Sequence, residues 1–416
     1  MPVGNIAPPK IIYPIDGVDI GITAAGVRYK DRDDLVVFRI ADKASVACVT
    51  TSNQCCAAPV LVVREHLDKL QQQTEQKQTP HYLLINTGNA NAATGDDGYQ
   101  RALQTCQALA DKAQVAAYQV LPFSTGVIGE VINRDAIVTG LDACLQNLGA
   151  DNWATAANAI RTTDTVPKVD STQVNLDDGR VYHVTGISKG AGMIRPNMAT
   201  MLGFVATDAP IAQPLLQQML VELTNQSFNR ITIDGDTSTN DCCVLIATGA
   251  HNEQLIDSAD HPDYEPVFLA LQQVFLRLAT LIVRDGEGAT KFITVKVTGG
   301  KTVADCCDVA YAVAHSPLVK TAFFASDPNW GRIIAAVGYS GAEHLDANLV
   351  SVKLDDVAIC TRGQLDPSYS EAQGQAVMSR PEITIHIDLG MGEATDTVYT
   401  CDLSHEYVSI NADYRS

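Results

Sequence analysis

The sequence predicts an α/β body in which mixed β-sheets are covered by helices, and three observations predict it. Short runs of strand length and composition, such as Leu35–Ile40, Ser45–Thr50 and His81–Ile85, alternate along the chain with helical stretches such as 100–117 and 266–280. The 416 residues exceed the usual size of a single core, so two domains or one large split architecture is expected. No internal repeat, low-complexity tract or linker divides the chain.

Composition narrows the function classes. An apolar fraction of 46% with 19% charged residues is ordinary for a folded globular protein. The 48 acidic against 29 basic residues give a net charge of -19, which repels nucleic acid and anionic membrane surfaces. Residues 1–14 lack a basic start followed by a long apolar stretch, and no run of about eighteen apolar residues occurs, so neither a signal peptide nor a membrane span is supported. A cytoplasmic enzyme is expected. The eleven cysteines include three adjacent pairs, Cys55-Cys56, Cys242-Cys243 and Cys306-Cys307, without the C-x-x-C spacing of zinc or redox sites. They read as reduced thiols, mostly small buried hydrophobes, and no metal is expected.

In chain order, glycines punctuate apolar residues from Gly17 to Val27, and Leu35–Ile40 with Ser45–Thr50 read as the opening hairpin of a sheet. Val60–Gln72 has mixed helical spacing and ends in a polar run to Thr79. The strand His81–Ile85 is followed by an asparagine-rich turn, Asn86–Gly95, whose Asn and Gly suit left-handed backbone. Helices are expected at 100–117, 135–148 (stopped by Gly149) and 152–161, with Ser124–Glu130 a glycine turn between the first two. The loop Thr162–Lys168 leads on to a strand over Val181–Ser188. Helices over 213–224 and 266–280, a strand over Phe292–Thr298, a short helix over 309–314, and strands at Val350–Leu354 and Glu382–Leu389 complete the pattern.

The chain turns on Lys189–Asp208. Its first half holds two glycines and a proline, which favour an irregular loop, and its second half is an apolar run of strand length. The seam is Ala199-Thr200. A threonine there can attack its own preceding carbonyl, shift the acyl group from nitrogen to oxygen, and be released by water as a new N-terminus. Its free α-amine, titrating near pH 8, then serves as base for its own hydroxyl. These residues alone favour an ordinary loop entering a buried strand over self-cleavage.

Lys189–Ile194 followed by Pro196–Leu202 resembles the self-processing site of the ArgJ-type ornithine acetyltransferase family, and similar segments cover nearly the whole chain. Asn86–Gly95 resembles the family's asparagine-rich turn, with Thr87 where a serine and Ala93 where a cysteine is more usual. The resemblance implies a layered α/β sandwich like that of DmpA-type self-processing enzymes, with a smaller C-terminal α/β domain. It implies cleavage between Ala199 and Thr200 into chains 1–199 and 200–416, assembled as an α2β2 heterotetramer. Thr200 would be the nucleophile, carrying acetyl from N2-acetyl-L-ornithine to L-glutamate. Thr125 and Gly126 would form the oxyanion hole, since a hydroxyl and an unobstructed backbone N–H are suitable donors. Thr163, Lys189, Glu287, Asn411 and Ser416 would line the substrate site. The block Phe323–Arg332 also matches, and Asp327 and Arg332 are expected to brace the site from outside. No bound cofactor is implied. Whether acetyl-CoA is a further donor is left open, with a bifunctional enzyme expected.

Rival readings remain. On the same scaffold, water in place of glutamate gives an aminopeptidase or amidohydrolase. The acidic stretch Ile231–Asp241 fails as a calcium loop, because its sixth position is Thr239 and its twelfth Leu245. A strand leading into Asp234 and Asp236 admits a remote phosphatase with Asp234 as nucleophile. An uncut binding protein is the non-enzymatic alternative.

Overall fold

The computed structural model describes residues 2–72, 79–195, 201–250 and 254–413, and three sheets organise them. The first sheet runs β1 (Val18–Thr23), β2 (Leu35–Ile40), β4 (Tyr82–Asn89), β5 (Val120–Val127), antiparallel except for the β4–β5 pair. The second runs β3 (Ser45–Thr50), β9 (Cys242–Ala247), β8 (Leu202–Thr207), β7 (Val181–Lys189), β6 (Lys168–Asn175), with only β8 and β9 parallel.

These two sheets face one another. Val36, Phe38 and Ile40 of β2 meet Leu202, Phe204 and Ala206 of β8 in an inter-sheet core, and Phe204 sits 5.5 Å from Phe38 and 5.3 Å from Phe123, ring to ring. Such aromatic pairs each add about 0.5–1.5 kcal/mol beyond burial. The alternate residues of the same strands, Leu35 and Val37 in β2 and Val205 in β8, point outward to helices. Burial on both faces is why these strands read as unbroken apolar runs. Helices α2 (Gly95–Ala113) and α3 (Arg134–Gln146) cover the first sheet, and α5 (Gln213–Gln226) with α6 (Tyr264–Arg284) cover the second, which gives four layers. Helix α1 (Ala58–Gln72) packs along the β5 edge, and α4 (Trp153–Ala159) fits between the sheets. By length and composition α6 could cross a membrane, but here its Leu271, Val274, Phe275 and Leu278 are buried against the second sheet.

A third sheet forms the smaller C-terminal layer pair: β13 (Gln364–Leu365), β12 (Val357–Thr361), β11 (Ser351–Leu354), β14 (Glu382–Asp388), β10 (Phe292–Gly300), β15 (Ala394–Cys401). Helices α7 (Val303–His315), α8 (Pro317–Phe324), α9 (Trp330–Gly338) and α10 (Glu371–Met378) pack on it around their own core, and α11 (His405–Ala412) ends the described chain.

The structure corrects several expectations. β2 and β3 are not a hairpin: β2 pairs with β1 and β4, while β3 crosses to the second sheet and pairs with β9. The asparagine stretch is not a turn from its start, because Asn86–Asn89 continue β4 alongside β5; positive φ occurs at Gly88 within the strand and then at Asn91, Ala93 and Gly95. Ser124–Val127 is likewise strand, not a glycine turn. Helix α7 is longer than the expected 309–314, because Thr302 caps it by accepting the Asp305 N–H. The expected chain boundary falls between β7 and β8, hydrogen-bonded neighbours with Lys189 opposite Leu202.

Candidate active site

The parallel β4–β5 pair carries the first half of the site. In register, Thr87 lies opposite Thr125 and Gly88 opposite Gly126. Gly126 has φ +134, and a Cβ there would lie 2.2 Å from the Gly88 carbonyl carbon, so only glycine lets the strands approach this closely. The asparagines fix the strand ends. Ser124 donates to Asn86 at 2.6 Å, Asn86 donates to the Asn89 carbonyl at 2.9 Å, and Asn89 reaches the Glu130 carbonyl at 3.1 Å. The Thr125 side chain is left at the cavity with no hydrogen-bond partner among the described residues.

Beneath the Thr162-Thr163 loop lies a buried ionic triad. The Lys168 ammonium donates to Asp164 at 2.6 Å and to Asp285 at 2.7 Å, with Lys168 and Asp164 side chains fully buried. Asp164 also accepts the N–H of Thr162 at 3.1 Å and of Gly190 at 2.7 Å, and Asp285 accepts the Thr165 N–H at 3.0 Å. Burial pushes the Asp164 carboxyl up, but the charges of Lys168 and Lys189 and the hydrogen bonds outweigh it and hold it well below the usual carboxylate range. The triad ties the threonine loop both to the end of β7 and to the C-terminus of α6.

The loop leaving β7 is pinned in turn. Asp234 accepts the N–H of Met193 at 2.6 Å, of Ile194 at 2.8 Å and of Asp236 at 3.2 Å, and the Tyr407 hydroxyl at 3.2 Å. Ile231–Asp234 is not a strand, and both Asp234 oxygens hold backbone in place, which removes the phosphatase reading. Glu287, 7% exposed, receives the Asn411 amide at 2.8 Å, and its N–H donates to the Ala191 carbonyl at 2.8 Å. Close approach is again built with glycine, since a Cβ on Gly192 would lie 2.4 Å from a Glu287 carboxylate oxygen. The Ser404 hydroxyl donates to the Gly288 carbonyl at 2.6 Å and locks this turn to α11.

Asp241, just before β9, is a buried carboxyl whose Oδ2 has no hydrogen-bond partner among the described residues. Burial pushes it well above the ordinary carboxylate range, opposed in part by Ser238 and Lys189. A carboxyl raised in this way contributes stability below the unfolded value, near 3.9, and loses it as pH rises through the folded value. Asp241→Asn is therefore expected to gain on the parent as pH rises from 5 to 8, by about 1–3 kcal/mol at the upper end, read from denaturant unfolding at each pH. A difference that does not change with pH would contradict this.

Of the residues expected from sequence, Thr125, Gly126, Thr163, Lys189, Glu287 and Asn411 line a single cavity of about 270 Å³. An ammonium, a carboxylate and hydroxyl and backbone donors around one space suit a zwitterionic amino acid carrying an acyl group. Ala199, Thr200 and Ser416 lie outside the described residues; Met201, bonded to Thr200, is buried at 2% exposure and its carbonyl accepts the Cys242 N–H at 3.0 Å. Asp327 and Arg332 do not brace this site. Asp327 receives the Asn329 amide at 3.1 Å in the turn between α8 and α9, and Arg332 of α9 donates to the Leu318 carbonyl of α8 at 2.8 Å. Sequence reasoning missed Asn240 and Met193 at the cavity, and the pairing of Lys168 with Asp285. The four-residue spacing of Asp164 and Lys168 was a visible signal for half of the triad.

Known proteins resemble this chain along its length. A family model described as the ArgJ family matches residues 19–416. The arginine biosynthesis bifunctional protein ArgJ of Psychrobacter arcticus is 67% identical over 416 residues, and that of Pseudomonas syringae pv. tomato 52%, each covering 100% of both chains. A crystal structure of the arginine biosynthesis bifunctional protein argJ from Bacillus halodurans is 41% identical, covers 51% of this chain and 99% of its own, and superposes with a TM-score of 0.49. With matches of this depth over essentially its full length, the chain belongs to the ArgJ family.

Proposed function

We propose that this protein is an acetyltransferase of arginine biosynthesis that moves acetyl from N2-acetyl-L-ornithine to L-glutamate through an ester on Thr200, and that it also accepts acetyl from acetyl-CoA. The observation that carries the reading is the gathering of Thr125, Gly126, Thr163, Lys189, Glu287 and Asn411, from distant segments, around one cavity at the end of β7, opposite the start of β8. The chain is first cut. The Thr200 hydroxyl attacks the Ala199 carbonyl, the C–N bond breaks as nitrogen takes the proton, and water hydrolyses the ester to leave Ala199 as a carboxylate. Residues 1–199 and 200–416 then form the two chains of an α2β2 assembly in the cytoplasm.

In turnover the Thr200 α-amine takes the hydroxyl proton while the oxygen attacks the acetyl carbon. The Thr125 hydroxyl and Gly126 N–H donate to the oxyanion. The amide C–N bond breaks, ornithine leaves with the proton on its α-nitrogen, and acetyl remains on Thr200. Glutamate's α-amine attacks this ester, N-acetylglutamate departs, and the hydroxyl regains its proton. Lys189 pairs with the amino acid's carboxylate, Glu287 holds its amine, and Thr163, Asn411 and Ser416 complete the pocket. Purified protein should run as two fragments on a denaturing gel and release ornithine from N2-acetyl-L-ornithine in proportion to added glutamate. A single uncut chain, or ornithine release at the same rate without glutamate, would overturn the reading.

A further inference from the structure

We propose that Asn240, which follows the Ala199-Thr200 seam in sequence, is a positioning residue for acyl transfer that fixes the Thr125-Gly126 pair. The inference rests on the assignment of Thr125 and Gly126 as oxyanion donors. Asn240 is 6% exposed and faces the same cavity. Its Nδ2 donates both hydrogens to backbone carbonyls, to Ala90 at 2.6 Å and to Ser124 at 2.9 Å. Its Oδ1 accepts the Thr239 hydroxyl at 2.7 Å, which fixes the orientation of the amide.

The two carbonyls are placed where they matter. Ser124 immediately precedes Thr125, and the Val127 carbonyl, immediately after Gly126, accepts the Ala90 N–H at 3.0 Å. The donor pair is thus bracketed, tethered on one side by Asn240 directly and on the other through Ala90, which the same amide holds. Gly126 has no side chain to anchor it and sits at φ +134, a conformation that neighbouring contacts must hold. An oxyanion donor works only within a few tenths of an ångström of its working distance, so loss of the bracket removes transition-state stabilisation more than it removes substrate binding.

Asn240→Ala deletes both tethers, and Asn240→Asp keeps the shape but turns an acceptor toward two carbonyls. In the purified enzyme each is expected to lower kcat for ornithine release about 10- to 100-fold while KM for N2-acetyl-L-ornithine stays within about threefold. In a Thr125→Ala background, Asn240→Asp is expected to cost clearly less than in the parent, because one of the two donors it positions is already gone and only the Gly126 N–H is left to misplace. Unchanged kcat per folded molecule in both variants, an equal loss in both backgrounds, or failure of both variants to fold would overturn the proposal, the last making Asn240 a stability element. Undiminished kcat in Thr125→Ala alone would instead remove the oxyanion assignment, and the proposal with it.

Discussion

Thr200→Ala is expected to yield one polypeptide of 44.5 kDa where the parent yields two, and to lower acetyl transfer by about 10³-fold or more. Both effects follow from the missing hydroxyl oxygen, which in the proposed mechanism is the attacking group in the backbone shift and the acetyl carrier in turnover. Alanine leaves the apolar strand that follows untouched, so the variant should fold with its α6 and β8 core intact. Thr200→Ser keeps the oxygen and should still be cut. Intact mass and N-terminal sequencing of the second fragment check the cut, and glutamate-dependent ornithine release checks the transfer. An alanine variant cut after residue 199, or one with parental turnover, would end the nucleophile assignment.

Lys168→Met is expected to cost about 3–5 kcal/mol of stability, the range for leaving one side of a buried ion pair uncompensated. Two carboxylates, Asp164 and Asp285, share this one ammonium at 2.6 and 2.7 Å with no access to water. Asp164 sits below its unfolded value in the parent, so its contribution is present above pH about 4 and is lost only as pH falls through the folded value. Without Lys168, burial of the Asp164 carboxyl loses its main opposing charge, its protonated form is favoured, and the variant regains stability as pH falls. The deficit should therefore be larger at pH 8 than at pH 5, measured by urea unfolding. Lys168→Met with Asp285→Asn should recover part of the loss, because one buried charge is gone. Equal deficits at both pH values would show that the triad's charge is not what the lysine supports.

The strands that the sequence revealed are those with an apolar run, such as β2 and β8, buried on both faces, or with clear alternation, such as β14. β2 and β3 appear with their boundaries as expected because the stretches around them, Asp31–Asp34, Asp42-Lys43 and Thr51–Gln54, are polar, yet their partners were not legible. Nothing local distinguishes β3 folding back on β2 from β3 crossing to β9, since both put apolar residues inside. β6 was missed for the opposite reason: Lys168–Asn175 is an edge strand, mostly polar, with weak alternation. At the site, isolated residues such as Thr125, Lys189 and Glu287 carry no chemistry by themselves, and only likeness to a family singled them out. Asn240 was invisible because its function depends on carbonyls more than a hundred residues away, at Ala90 and Ser124.

The place of the seam, between two adjacent strands of the five-stranded sheet, has a thermodynamic consequence. In the proposed cut form, β3, β6 and β7 would belong to one piece and β8 and β9 to the other, with the ladders β3–β9 and β7–β8 stitching the pieces together. Unfolding then also becomes dissociation. The melting temperature of the cut protein should rise with protein concentration, whereas an uncut chain that melts as a monomer should show none of this dependence, and separated fragments should regain structure by a second-order reaction.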